Sequence, residues 1–410
     1  MSVDTAVNVD VLIVGGGIQG LVVLRELTEA GYAAALVTAG ELGVGQTLHS
    51  HGLLNSGTGL LTGTLREQTE ATVAYLRRLG VPVYGEASSF LALPPAMVEQ
   101  LSPLWQANGH QPAPVDTEEV GFAMGHEFRC FRVPGYHVAK RSLVRRLAAG
   151  LADRTISGAL TGTDGASRYE VTTQSGDRLD IECRAVVVAG GCGTKRLLRD
   201  VMVVDSPHVD RIGFVRIHML CVRAPAGVLA PVATLVSPDV VVVGHLNDGH
   251  DTVGQGRDQA SWYVSPASVV PEHLTEAPDT GAAEVDPQEV ALAVERLIRL
   301  LPALTRASAE VEATVFAGYK QDVDGHPARP AVEVVDPRRA IVLAVPSVLA
   351  NAVPNALAVL AAVKAVAEPS GSGWARPDEL PAPSVGVVDE LRSGVAWRDW
   401  PTFAAAYGHR

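Results

Sequence analysis

Several things are scarce in this sequence, and each shortage narrows what the protein can be. The four cysteines, Cys130, Cys183, Cys192 and Cys221, lie far apart with no CxxC pair. That argues against structural zinc and for reduced thiols used in packing. Positive charge is short: 33 Lys and Arg stand against 45 Asp and Glu, for a net charge of −12, and no basic run breaks the pattern. A nucleic-acid surface is therefore not expected. No apolar run reaches the roughly 18 residues a membrane span needs without interruption. The nearest, residues 340–366, is divided by Pro346, Asn351, Pro354, Asn355 and Lys364 into a strand, a loop and a helix. The opening MSVDTAVNVD is polar and acidic, unlike a signal peptide. The expectation is a cytoplasmic protein with no membrane span, and a chain of 410 residues leaves room for two domains.

What is present is concentrated near the start. The apolar run Val11-Leu12-Ile13-Val14 meets Gly15-Gly16-Gly17, and Gly20 follows; Leu21, Leu24 and Leu27 then recur at helical spacing. This predicts a strand, a glycine turn, a helix and a second strand over residues 33–38. In a dinucleotide site of this spacing, Gly15 makes the tight turn, Gly17 lets the backbone approach a pyrophosphate and Gly20 lets the helix lie close to the strand. The helix N-terminus, at Ile18 and Gln19, offers N–H groups and partial positive charge to the phosphates. An acidic residue about 20 positions on would hold the ribose. Here the second strand ends in Thr38-Ala39-Gly40, and Glu41 is the nearest acid.

Residues 41–63 are rich in glycine and have neither a period of 2 nor one of 3.6, so they are expected to form a loop. His49, His51 and Asn55 stand out in it. Residues 65–79 read as an amphipathic helix ending at Gly80, and residues 140–152 as another, with Leu143, Leu147 and Leu151 on one face. Residues 99–127 show no clear period. Residues 156–160 and 169–173 are strand-like around Asp164-Gly165, a hairpin turn signal. Ala185 to Val188 is a buried parallel strand running into Gly190-Gly191. Strand-like runs at 212–223, 239–246 and 261–264, followed by a helix over 287–300, suggest an antiparallel sheet. Asp248, His250 and Asp251 read as a solvated turn rather than a metal site.

The Val11–Gly20 unit together with Gln46-Thr47-x-His49-x-x-Gly52 resembles the flavoprotein oxidases of the D-amino-acid oxidase superfamily. That group includes the glycine, sarcosine and dimethylglycine oxidases, the L-2-hydroxyglutarate dehydrogenases and the FAD-dependent glycerol-3-phosphate dehydrogenases. The stretch ending Asp324-Gly325-x-Pro327 is similar to the family's return to the flavin. The chain departs from the family pattern at Cys192-Gly193-Thr194, and at residues 346–354, which lack the family's glycines.

The resemblance implies an α/β protein: a Rossmann-type FAD-binding domain (1–80, 138–205, 311–368), a discontinuous antiparallel-sheet substrate domain (81–137, 206–310), and a linker and tail (369–410). It implies an enzyme that oxidises a small-molecule amine or 2-hydroxy acid by hydride transfer to flavin N5, with oxygen or another electron acceptor. An FAD-dependent hydroxylase and a non-redox flavin-binding accessory protein are the alternatives. Cofactor contacts are expected from Gly15, Gly17, Ile18, Gln19, Gly20, Thr38, Ala39, Gln46, Thr47, His49, Ser50, Gly52, Gly190, Gly191, Gly325 and Asn351. In the dimethylglycine branch the histidine matching His49 carries FAD covalently. Catalytic roles fall to Lys320, Tyr319 and His51, with Lys320 placed to hold a substrate carboxylate, and Tyr136 and His137 as companions.

Overall fold

A computed structural model describes residues 5–55, 63–84, 89–107, 109–116, 127–225, 234–246, 259–266, 273–275, 282–302, 304, 310–325, 330–346, 348–371, 374–377, 380–385 and 396–407. The opening strand Thr5–Val14 lies in a seven-stranded sheet. It pairs in parallel with Ala34–Thr38 on one side and Arg178–Val188 on the other, and Ile341–Val345 extends the parallel set. Strands of this kind must be apolar on both faces. Val11 and Ile13 accordingly join a core with the helices Ile18–Glu29, Gly63–Arg78, Lys140–Ala148 and Ala352–Val366, while Leu12 and Val14 join the core on the opposite face.

A second sheet has eleven strands. Its centre is the antiparallel pair Ile212–Pro225 and Glu312–Val323, flanked by Gln259–Pro266 and Val240–Leu246. Thr234–Val236 pairs in parallel with Ser89–Leu93. One face packs Leu220, Val222, Trp262, Ala313 and Val315 against the helices Pro287–Leu300 and Trp400–Ala406. The helix Pro287–Leu300 starts where Asp286 accepts the Gln288 N–H and proline occupies the first turn, a strong N-terminal signal. The other face carries Lys320, Phe316, Met219, Cys221, Tyr263, Ser265 and His245, as period-2 alternation and the register require. A three-stranded sheet, Leu53–Asn55, Gly135–Val138 and Val83–Tyr84, lies between the two bodies.

Several expectations are corrected. The glycine-rich loop contains a one-turn helix, Gln46–His49, and the strand Leu53–Asn55, both too short to leave a period. Residues 95–107 form a helix with only Val98 and Trp105 buried and Pro103 inside it, so no apolar stripe announces it. Glu312–Val323 belongs to the second sheet, and the chain rejoins the first sheet only at Ala331–Asp336. The helix expected from residue 355 begins at Ala352, because Pro354 sits in its first turn, where an N–H is not needed. By length and composition alone, Leu349–Val366 could cross a membrane; in the fold, Ala352, Val353, Ala356, Val359 and Val363 are buried in the first core. The Asp164-Gly165 hairpin holds: Asp164 accepts from the N–H groups of Ala166 and Arg168, and Gly165 has φ +81°. Residues after 368 are not a free linker. Ser370 donates to Asp10 through its N–H and hydroxyl, and Trp400 and Phe403 enter the second core. Asp248, His250 and Asp251 lie outside the described residues.

Candidate functional site

The C-terminal ends of the parallel strands converge on the glycine turn. A Cβ on Gly15 would stand 2.3 Å from the carbonyl oxygen of Ala189, and one on Gly20 1.9 Å from that of Gly15, so both positions demand glycine for packing. Gly17 differs: its nearest neighbour to a Cβ would be the Thr47 hydroxyl, at 3.5 Å. Gly17 is the N-cap of the first helix and brings no side chain to cap it. The Ile18 N–H donates instead to Thr47 Oγ1 at 3.0 Å. The helix N-terminus thus opens beside a backbone that an anion can approach. Gln19 reaches the Ala352 carbonyl and ties this N-terminus to that of the helix Ala352–Val366. Gly190 abuts Gly15, and Gly191 has φ +56° as the chain turns after Arg178–Val188.

Other expected cofactor contacts have structural work of their own. Thr38 is buried against Gly16, Ala39 is exposed, and the Glu41 carboxylate accepts from Ser384 on the tail. Asn351 is fully buried and donates to the Pro346 carbonyl, bracing the glycine-free loop. Asn355 does the same to Val345. Gly325, with φ +71°, takes the turn after Glu312–Val323, and its N–H donates to Asp322.

The segment from Gln46 to Gly52 runs from the glycine turn to the polar face of the second sheet. His49 donates from Nδ1 to the Gly45 carbonyl at 2.8 Å, which leaves the ring's lone pair on Nε2, and it meets Phe316 edge-on at 5.2 Å. Ser50 bonds Thr47 O and the Gly52 N–H through its hydroxyl, and its carbonyl accepts from the buried Lys140 ammonium at 2.7 Å. The His51 carbonyl accepts from His245 Nε2 at 3.0 Å, and His51 Nε2 lies 3.1 Å from Ser265 Oγ. Lys140 also stands 3.6 Å over the Tyr263 ring. His137 meets His245 at 5.1 Å between ring centroids and reaches the Thr234 hydroxyl.

This cluster is basic. Burial, with Lys140 and Lys320 nearby, pushes His51 down to about 4, and burial does the same to His137. Burial first, and then His137 and Lys140, hold His245 well below the usual histidine range. Burial lowers the Lys320 ammonium to about 8 against the pull of Asp322. At neutral pH the cluster therefore holds neutral imidazoles around cationic lysines, a setting that attracts an acid. Among the described residues, no group of histidine, cysteine and carboxylate side chains has the arrangement of a metal site.

The structure brings His49, His51, His137 and Lys320 to one region and sends two expected partners elsewhere. Tyr319 follows the alternation of its strand to the face opposite Lys320 and packs in the core beneath the first sheet, where its carbonyl accepts from the Cys192 thiol. Tyr136 turns from its neighbour His137 toward the first core, with Arg77 over its ring. Sequence reasoning missed Lys140, His245, Tyr263 and Ser265. The weak signal for Lys140 was its helical spacing from Leu143, Val144 and Leu147, which share the buried face of its helix. A cleft of about 520 Å³ lined by Asp10, Arg184 and Arg339 lies away from this chemistry, at the opposite end of the parallel strands.

The family model "FAD dependent oxidoreductase" matches residues 10–345. A probable FAD-dependent oxidoreductase of Pseudomonas aeruginosa is 27% identical over 327 residues, 72% of this chain and 76% of that protein. In its crystal structure that fold superposes with a TM-score of 0.67 at 22% identity, covering 93% of this chain and 97% of the other. Glycine oxidase from Geobacillus kaustophilus gives 0.65 at 16%, over 91% and 96%. Dithionite-reduced L-α-glycerophosphate oxidase from Mycoplasma pneumoniae, with FAD bound, gives 0.65 at 14%, over 87% and 95%. At these identities the three structures establish the likeness of fold alone.

Proposed function

The chain belongs to the family of FAD-dependent oxidoreductases, and we propose that it oxidises a small-molecule amine or 2-hydroxy acid whose carboxylate is received by Lys320. FAD is the cofactor; when bound it supplies flavin N5 as hydride acceptor and passes the electrons to oxygen or another acceptor. The observation that carries the substrate reading is that the loop which caps the first helix brings His51 to the sheet face carrying Lys320, close enough for the ammonium to depress the imidazole.

On this reading the seven-stranded body is the Rossmann-type FAD-binding domain, with Gly15–Gly20 and Ile18 at the pyrophosphate. The eleven-stranded sheet, now including Glu312–Val323, is the substrate domain. Lys320 orients the substrate through its carboxylate. His51, neutral at pH 7, accepts the amine or hydroxyl proton as the substrate C–H leaves as hydride. An arriving carboxylate raises the basicity of His51 by offsetting the two lysines that depress it. The hydroxylase reading loses its support at Asp164-Gly165, whose groups are spent on the hairpin.

The test is anaerobic mixing of the FAD-loaded protein with a panel of amines and 2-hydroxy acids. Bleaching of the oxidised flavin band by a member of that panel supports the proposal. Bleaching by NADPH alone would replace it with a hydroxylase, and bleaching by neither with an accessory flavin-binding protein.

A further inference from the structure

We infer that His245 is a positioning residue: by holding the His51 carbonyl, its Nε2–H sets how the Gln46–Gly52 loop presents His49 and His51 to the flavin. The inference rests on the reading of function above and adds to it a residue that acts through the His51 carbonyl.

The argument starts from where the loop is fastened. Thr47 fixes its beginning to the first helix through the Ile18 N–H. Its end is fastened at two consecutive carbonyls, Ser50 by Lys140 and His51 by His245. Gly52 follows with φ +70°, and a Cβ there would lie 2.7 Å from the Val138 carbonyl and 3.7 Å from the His245 ring. The loop therefore has one end on the dinucleotide turn and the other on the polar face of the second sheet. Lys140 stands on a helix of the first body, whereas His245 stands on a strand of the second. Of the two fastenings, the one from His245 crosses between bodies.

His245 is well suited to this work. It is 5% exposed, and its ring is wedged between those of His137 at 5.1 Å and Tyr263 at 5.4 Å, both edge-on, so its orientation is fixed by packing. A carbonyl can only accept, so the ring carries its proton on Nε2. The groups that face it are His137, Lys140 and His51, and all but the His51 carbonyl disfavour its charged form. It is therefore a neutral donor. That makes the test clean: replacing it by a neutral residue changes geometry and leaves net charge alone.

The experiment compares the reduction potential of bound FAD in the wild-type holoenzyme, His245→Gln and His245→Leu, a measurement valid whether or not the flavin is covalently attached. Gln keeps an N–H donor of similar reach, whereas Leu removes it. The expected result is a shift of about 30 mV or more in His245→Leu, equal to a tenfold change in the relative stability of the two flavin states for a two-electron couple, with the wild-type value kept in His245→Gln. If the Leu variant does not accumulate as folded protein, His245→Asn, whose shorter donor falls short of the carbonyl, takes its place. An unmoved potential in Leu or Asn overturns the inference, and so does a shift in Gln as large as theirs. A wild-type protein that takes up no FAD would overturn the reading of function itself, which separates the two failures.

Discussion

Thr47 Oγ1 accepts the main-chain N–H of Ile18 at 3.0 Å, across 29 residues of sequence. A side chain from the loop thus performs the capping that Gly17, lacking a side chain, cannot. The arrangement keeps the backbone bare where an anion can approach and still satisfies one of the helix's outward donors.

Gly17→Val is therefore expected to fold and fail to bind. Gly17 has ordinary dihedrals, φ −75° and ψ −179°, and space around a Cβ. The variant should purify with its thermal transition little changed and with most of its FAD gone. Gly20→Ala should instead lose the transition itself, since its Cβ meets the Gly15 carbonyl at 1.9 Å. Full flavin occupancy in Gly17→Val would remove the pyrophosphate from this turn.

Thr47→Val keeps the shape and removes the acceptor. A buried N–H left unsatisfied costs about 1–3 kcal/mol. The midpoint of chemical denaturation should fall accordingly. A midpoint equal to wild type would mean that another group takes over the Ile18 donor.

Lys320 gives a pH signature with a fixed sign. Its ammonium is charged below about 8 and lost above it. His51 must be neutral to accept a proton, which holds above about 4. Because kcat/KM follows the ionisations of the uncomplexed enzyme, it should be level between these values and fall on either side. Lys320→Met should raise KM by ~100-fold, a few kcal/mol of lost carboxylate binding, and should abolish the alkaline fall. Tyr319→Phe, on the opposite face of the strand, should leave both constants near wild type; a large KM effect there would contradict the assignment of faces.

Covalent attachment of the flavin is proposed at His49. With Nδ1 donating to Gly45, its nucleophilic nitrogen is Nε2, the atom that would bond the flavin 8α-methyl group. We expect yellow colour to stay with the acid-precipitated protein and to vanish from the pellet in His49→Ala. Colour that passes wholly into the supernatant, with a polypeptide of unmodified mass, would show that FAD is bound without a covalent link.

The parts of this molecule that were legible in advance are those where local pattern and tertiary role agree. Val11–Gly20 reads as strand, turn and helix because the apolar run, the glycines and the leucine spacing follow one another within a short stretch, and Gly20 answers the Gly15 carbonyl inside it. The helix over 287–300 announces itself by its cap and its stripe. The polar cluster was illegible for the opposite reason. His245 sits in an apolar strand, and its significance comes from a carbonyl on a distant loop. Lys140 reads only as the first residue of a helix, and its significance comes from Tyr263 and Ser50, which meet it from two other elements. Tyr319 is a different kind of miss: adjacent residues on a strand face opposite ways, and the period-2 rule applied to Lys320 would have sent Tyr319 elsewhere.

The path of the residues after 368 bears on how such a chain is made. Ser370 closes on Asp10 across 360 residues, Ser157 donates its N–H to the Pro381 carbonyl, and Arg398–Asp399 pairs with the start of Glu312–Val323. On the ribosome, Asp10 emerges long before Ser370, and the strand at 312 before its edge partner at 398. Neither body can reach its final hydrogen-bonding until these late residues arrive. During synthesis these seams stay open until residues 370–399 have been made, and unpaired strand edges of that kind are prone to aggregate.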